Sequence, residues 1–334
     1  MIPAMARARR SNWLLLLGGC AAGVLLLEGA VRALGLLEPR PTGYAPLDTD
    51  RRAGRPRNSR GYRDEERTPA KPPGTRRLLS LGDSFAWGAS VHFEDAYPQR
   101  LERGLRRRRG EAWEVVNLAL PGLGTLDHAA QLAQEGIGYE PDAVVLGYVL
   151  NDAEDRATAE AREHAWIQRV RDRHAPLAFS ALARFVALRV SATVENAGRV
   201  GRFRALYEDS APGWRDTREA LRAMGRLCRE RGVPLLVAIF PMFANPLDGR
   251  YPFQQVHAKV AQAAAAAGAR VVDLMEVYRG RRWELLVVNG YEDEHPNEIA
   301  HRLAADAILR ALDDVVSFAF PAAAAGGEAP AAPR

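Results

Sequence analysis

Lysine and cysteine are close to absent from this chain. Of its 46 basic residues only Lys71 and Lys259 are lysine, the rest being arginine, and Cys20 and Cys228 are its two cysteines. Two cysteines, one in an apolar N-terminal run and one in an amphipathic stretch, make no disulfide framework. Neither has the close cysteine or histidine neighbours of a metal site. The redox state of the compartment is therefore not legible from them. A lysine deficit beside abundant alanine points to genomic base composition rather than to a nucleic-acid surface. The net charge of +5 is small for 334 residues. The run Arg106-Arg107-Arg108-Arg109 closes an expected helix, where cations suit the C-terminal end of the dipole. Nucleic acid is thus not an expected partner. Internal repeats are missing as well. The composition, 47% apolar and 26% charged, is that of an ordinary globular protein with material for a sizeable core.

Long apolar runs are lacking too, with one exception. Arg7, Arg9 and Arg10 precede the stretch from Trp13 to Leu27, and no acid occurs before Glu28. A spanning helix needs about 20 apolar residues. Ser11 and Asn12 extend the run on one side, and Glu28 and Arg32, one helical turn apart, can pair at the interface on the other. Arginines before the run and none within it favour a signal anchor over residues 1–37 with the body outside the cytoplasm. A cleaved signal peptide is the main rival. Leu17-Gly18-Gly19-Cys20 also has the form of a lipoprotein cleavage box, although the apolar run continues beyond the cysteine. All three readings place the body of the protein on the periplasmic or cell-surface side.

Residues 38–75 are rich in Pro, Gly, Arg and Asp and read as a juxtamembrane tether able to pack late onto the domain. From Arg76 onward, short apolar runs alternate with helix-length amphipathic segments. Strands are expected at 77–81, 114–119, 142–148, 234–240 and 270–274, with helices near 95–108, 125–136, 215–231, 254–267 and 297–313. Strands that are apolar throughout and spaced by helices imply a parallel five-stranded sheet covered on both faces, a three-layer α/β/α domain over 76–318. Residues 153–213 interrupt the rhythm and read as a helical insertion, a lid or a partner surface. Residues 319–334, nearly all Ala, Gly and Pro, read as a disordered tail.

Candidate chemistry gathers at strand ends. Leu78-Leu79-Ser80-Leu81-Gly82-Asp83-Ser84 is a buried strand that ends in glycine and delivers a hydroxyl to the sheet rim. Far downstream, Asp293-Glu294-His295-Pro296-Asn297 supplies a base two residues after an acid that could orient it. Alone, each of these is an ordinary turn serine, loop histidine or solvated acid. A glycine-rich turn, Asn117 to Thr125, ends the second strand, and Val144 to Asp152 ends the third with Asn151. A glycine N–H and an asparagine amide are neutral donors of the kind that stabilise a developing oxyanion. Three successive strand ends therefore offer a nucleophile, an N–H and an amide at one rim. His301, six residues past His295, would not share its helix face, so a metal pair is not expected. Phe85, Trp87 and the run Phe240-Pro241-Met242-Phe243 read equally as core or as walls of an acyl or sugar pocket.

Gly82-Asp83-Ser84, the glycine turn after the second strand, the Gly-x-x-x-Asn-Asp of 147–152 and Asp293-x-His295-Pro296-Asn297 resemble, in order and spacing, the four blocks of the SGNH (GDSL-type) hydrolases. The resemblance covers about residues 76–315 and suggests a membrane-anchored bacterial-type member. It implies a flavodoxin-like fold, Ser84 as nucleophile, His295 as base and Asp293 as the acid, with Glu292 as the alternative position used by many members. It also implies an oxyanion hole from the Ser84 N–H, a glycine N–H (Gly122, or else Gly124) and Asn151. Two departures stand out: the Gly147-to-Asn151 spacing is longer than in many members, and the Gly-x-Ser-x-Gly elbow is missing, against an α/β-hydrolase fold. The expected activity is serine ester hydrolysis with no cofactor or metal, on an ester-bearing small molecule or an O-acylated envelope or exported glycan. Transfer of the acyl group to a sugar hydroxyl, or a non-catalytic envelope or glycan-binding role on the same fold, are the alternatives.

Overall fold

A computed structural model of the chain describes residues 3–35, 57–109, 112–154, 180–289 and 293–319. Five strands form the central sheet: β1 (Thr75–Gly82), β2 (Ala112–Asn117), β3 (Ala143–Tyr148), β4 (Leu235–Ile239) and β5 (Arg270–Asp273). All are parallel, in the order β2-β1-β3-β4-β5. This is the flavodoxin-like doubly wound order, whose ligand crevice lies at the carboxyl ends of the strands, at the β1/β3 switch point. Each strand falls within two residues of its expected position, and β3 and β4 are buried along their whole length on both faces. Leu78, Leu79, Val144, Val145, Leu146, Val237 and Ile239 are all fully buried. Each such side chain contributes about 1.5–3 kcal/mol by leaving water.

The helices are α1 (Pro3–Ala33), α2 (Ser84–Trp87), α3 (Tyr97–Arg109), α4 (Thr125–Gln134), α5 (Ala181–Leu206), α6 (Pro212–Glu230), α7 (Gln254–Ala266), α8 (Met275–Tyr278) and α9 (Glu298–Ala319). α3 packs on α9, while α4 packs on α6 and α6 on α7. Right-handed crossovers put the first pair on one face of the sheet and the other three on the opposite face. The contact between α3 and α9 is close: a Cβ at Gly104 would sit 2.3 Å from Leu309 Cδ1.

The chain clusters into two units, residues 1–40 with 164–199 and residues 41–163 with 200–334. In the first, Glu28 of α1 accepts hydrogen bonds from the Ala181 and Leu182 N–H groups, at 2.9 and 2.7 Å, and pairs with Arg32 as expected. Within α1, Leu15–Ala33 is long and apolar enough to cross a membrane, with a mean hydropathy of 1.6. Leu15, Leu16, Leu17 and Val24 to Leu27 are exposed along it.

The structure adds detail to the sequence expectations in several places. Part of the segment read as a tether is packed into the second unit: Tyr62, Arg63 and Asp64 are buried, and the Asn117 N–H donates to Asp64 Oδ2 at 3.0 Å. Residues 38–56 lie outside the described residues. The segment that carries the histidine is one strand of an antiparallel pair, β6 (Val287–Asn289) with β7 (Asp293–Pro296). α9 is capped by Asn297, whose Oδ1 accepts from the Ile299 and Ala300 N–H groups at 3.1 and 3.2 Å, so the helix begins one residue after its expected start. Of the expected insertion, α5 and the start of α6 are helical, and 155–179 lie outside the described residues, as do 320–334 of the expected tail.

Candidate active site

β1 hands its chain to α2 through a turn that only glycine fits. Gly82 has φ +153°, and a Cβ there would lie 2.7 Å from Ala86 Cβ and 2.9 Å from the Gly147 carbonyl. Asp83 caps α2: its Oδ1 accepts the Phe85 N–H at 2.9 Å, and its side chain is buried. Ser84 then opens the helix, half-buried at the sheet rim.

The hairpin β6–β7 brings His295 to the same place from 211 residues away, with Nε2 3.0 Å from Ser84 Oγ. Asp293 Oδ1 accepts two hydrogen bonds from His295, from Nδ1 at 2.6 Å and from the backbone N–H at 3.1 Å. With the Nδ1 proton facing a carboxylate, the Nε2 lone pair faces the serine hydroxyl, the tautomer a general base requires. Asp293 Oδ2 accepts the Ser90 hydroxyl at 2.6 Å. Asp293 is thus the acid that meets the imidazole, while its alternative Glu292 lies outside the described residues.

The electrostatics are mutual. Burial works to lower the His295 pKa, but the hydrogen bond and charge of Asp293, with Asp83 and Glu294 adding, outweigh it and hold it above the ordinary histidine value. Burial works to raise the Asp293 carboxyl, but His295 and Ser90 outweigh it and hold it below the aspartate range. Phe85 supports the imidazole from within the core. Its ring meets His295 edge to face at 5.8 Å and packs on Phe240 and Phe243 at 5.6 and 6.1 Å. Trp87, half-buried, carries the Arg57 guanidinium 5.0 Å from its ring centre.

After β2 the chain stays beside β1. The Leu118 N–H donates to Ser80 O at 2.9 Å and the Leu120 N–H to Gly82 O at 3.2 Å. Leu120 to Leu123 then form a turn closed by the Leu123 N–H on Leu120 O at 3.4 Å, with Gly122 at φ +81°. Proline second and a positive-φ glycine third make it a type II turn. Gly124 is occupied differently: its N–H donates to Asp127 Oδ2 at 3.1 Å and opens α4.

Asn151 lies in a single 3-10 turn, Leu150–Ala153, and donates from Nδ2 to Asp83 Oδ2 at 3.2 Å. The long Gly147-to-Asn151 spacing still brings the amide to Asp83, the residue before Ser84. Asp152 points inward, accepting the Val149 N–H at 3.2 Å and standing 3.8 Å from His128 Nε2. Burial pushes that histidine down to about 4, so it is neutral. His301 is buried elsewhere, its Nδ1 accepting the Tyr97 N–H at 3.2 Å. Sequence reasoning missed one member of the cluster, Ser90, and gave Asp83 no role of its own. An Asp before an apolar helical turn is a capping signal that could have marked Asp83. Nothing local marks Ser90.

Residues 80–303 match the GDSL-like Lipase/Acylhydrolase family. No curated protein matches the sequence. Similar solved structures include TesA, 17% identical over 72% of this chain and 99% of that one, TM-score 0.44. A two-domain esterase active on acetylated mannans is 14% identical over 77% of this chain and 53% of that one, TM-score 0.45. A catalytic mutant of an acetylxylan esterase from Geobacillus stearothermophilus is 16% identical over 71% of this chain and 94% of that one, TM-score 0.44.

Proposed function

The chain belongs to the GDSL-like lipase/acylhydrolase family and is an ester-bond hydrolase; on that premise we propose that Ser84, His295 and Asp293 carry the reaction through an acyl-enzyme, outside the cytoplasm, on O-acylated envelope or exported glycan. The observation that carries the residue assignment is the unbroken line of hydrogen bonds from Ser84 Oγ to His295 Nε2 at 3.0 Å and from His295 Nδ1 to Asp293 Oδ1 at 2.6 Å.

In this reading Ser84 Oγ attacks the ester carbonyl carbon as its proton passes to His295 Nε2. The imidazolium that results is stabilised by Asp293, which keeps its own charge. Negative charge moves to the carbonyl oxygen, and the Ser84 N–H, the Gly122 N–H and Asn151 Nδ2 are the donors assigned to it in this reading. Each such donor contributes about 3 kcal/mol to the transition state. Gly122 is preferred to Gly124 because the Gly124 N–H is already engaged by Asp127. The engagement of Asn151 with Asp83 uses one amide proton and leaves the second for the oxyanion. Collapse of the intermediate breaks the bond to the alkoxide, which takes the proton from Nε2. Water, deprotonated by His295, then attacks the acyl-enzyme and frees the acid.

The location rests on the apolar helix Leu15–Ala33, with Arg7, Arg9 and Arg10 before it. Such a signal anchor keeps its arginines inside and its body outside. The test is hydrolysis of p-nitrophenyl acetate and release of acetate from acetylated polysaccharide, wild type against Ser84→Ala. Activity lost in the variant supports the assignment; activity retained overturns it. Acetyl appearing on an added sugar acceptor, at the expense of free acetate, assigns transfer rather than hydrolysis.

A further inference from the structure

We propose that Ser90 is a positioning residue for the catalytic acid: its hydroxyl, fixed by a strained loop, sets the plane of the Asp293 carboxylate and tempers its charge. The proposal rests on the reading of Ser84, His295 and Asp293 above. Ser90 Oγ donates to Asp293 Oδ2 at 2.6 Å, 203 residues away in sequence. The opposite oxygen, Oδ1, receives both N–H groups of His295. A carboxylate held through Oδ1 alone can rotate about its Cβ–Cγ bond. Held through both oxygens, it presents one fixed lone-pair direction to the imidazole.

The loop that carries Ser90 is built to keep it there. Ser90 adopts φ +62°, a conformation that side chains other than Gly, Asn and Asp rarely take, and it is buried. Such a conformation persists only where its surroundings impose it. Here the buried Arg63 guanidinium imposes it, with Nη1 donating to the Gly88 and Trp87 carbonyls and Nη2 to the Val91 carbonyl at 2.7 Å. The Ala89 N–H donates back to Ser84 O at 3.0 Å. Val91 packs with Ala96 and with Val288 of β6. One loop of a few residues therefore leaves the nucleophile's own helix, is clamped by Arg63, and touches the hairpin that bears the acid and the base. Serine where glycine fits the backbone better is the mark of a hydroxyl retained for its contact.

The groups that act on His295 are Asp293 and Glu294 on β7 and Asp83 at the start of α2; His301, in its own buried place on α9, feels the His295 charge in turn. Ser90 is uncharged and reaches the imidazole only through Asp293. Removing its hydrogen bond leaves more of the carboxylate charge to stabilise the imidazolium.

The test uses the purified full-length protein and p-nitrophenyl acetate. In Ser90→Gly the backbone is relieved, so Tm stays at or above the wild-type value. Turnover nonetheless falls on the order of tenfold, the loss expected of one hydrogen bond to a charged group. KM stays within about twofold, and the acid limb of kcat/KM moves to higher pH. In an Asp293→Asn background, Ser90→Gly causes no further loss, because the group it acts through is gone. Wild-type turnover and an unmoved acid limb in Ser90→Gly overturn the proposal. So does a Ser90→Gly loss that multiplies in full with that of Asp293→Asn, and this cycle decides the matter even if Tm falls. Ser84→Ala separates the two levels. If it stays active, the serine assignment itself falls; if it is dead while Ser90→Gly is silent, only the positioning role falls.

Discussion

Replacing Asp293 by asparagine removes the charge behind the base while keeping the size of the side chain. In the wild type, Oδ1 accepts from His295 Nδ1 at 2.6 Å and from the His295 N–H at 3.1 Å. An asparagine can turn its NH2 toward Nδ1, which drives the imidazole proton to Nε2, where it faces Ser84 and blocks proton transfer. The wrong tautomer and the lost charge-assisted hydrogen bond together cost about 3–4 kcal/mol in the transition state, the bond itself being worth about 1.5–3. That is a fall in kcat of roughly 10² to 10³. The lower figure is favoured because the two side chains are 31% and 20% exposed, so water screens part of the charge. The pH profile adds a direction. His295 is held above its ordinary value and must be neutral to act, so wild-type activity is lost as pH falls through that raised value. With Asp293 neutralised, desolvation lowers the imidazole pKa unopposed by its main partner, and the acid limb moves to lower pH. Stopped-flow or plate-reader hydrolysis of p-nitrophenyl acetate across pH measures both. A kcat within about threefold of wild type, with an unmoved acid limb, refutes the role given to Asp293.

Other consequences are directly measurable. Asn151→Ala removes one oxyanion donor, and kcat is expected to fall by on the order of 10² with little change in KM; an effect on KM alone contradicts that role. Arg63→Met keeps the buried stem but leaves the Trp87, Gly88 and Val91 carbonyls without their donor. Thermal unfolding should show a loss of about 2–4 kcal/mol, the cost of breaking a buried polar network. Stability also responds to pH through the pair. The depressed Asp293 contributes stability that is present above the unfolded carboxylate pKa and lost as pH falls through its folded value. The raised His295 contributes stability that is present below the unfolded histidine pKa and lost as pH rises through its folded value. Denaturant midpoints in Asp293→Asn should show a weaker dependence in both windows. Deleting residues 1–37 should release the chain from the membrane fraction of a bacterial host. Protease added to intact spheroplasts should digest the body of the full-length protein if the anchor runs inside to outside.

The sheet was legible because its strands obey a local rule. Runs such as Val144-Val145-Leu146 are buried on both faces, and the helices between them carry the amphipathic pattern. The residues proposed for the site were marked in the sequence by position, since Ser84, Gly122 and Asn151 all fall in the turns that follow strands β1, β2 and β3. What was not legible depends on contacts far apart in sequence. Arg63 and Asp64 lie in a Pro- and Arg-rich stretch that reads as solvated, yet their partners are the Gly88 to Val91 loop and the Asn117 N–H. The hairpin β6–β7 has strands of three and four residues, too short for periodicity to register. Ser90 has no pattern around it; its significance comes from a left-handed backbone and a carboxylate 203 residues downstream. Asp83 was visible as part of a motif, but its bond to Asn151 required the fold to bring the β1 and β3 ends together.

Covalent capture tests the central assignment most directly. The full-length protein is incubated with a fluorophosphonate, which reacts with a serine only where a base activates it. Its intact mass is then measured, and the modified peptide sequenced. A single adduct on Ser84 is expected, formed at a rate that rises with pH through the His295 titration and lost in His295→Ala. An adduct on another serine, or an unlabelled Ser84 in protein that still hydrolyses p-nitrophenyl acetate, contradicts it.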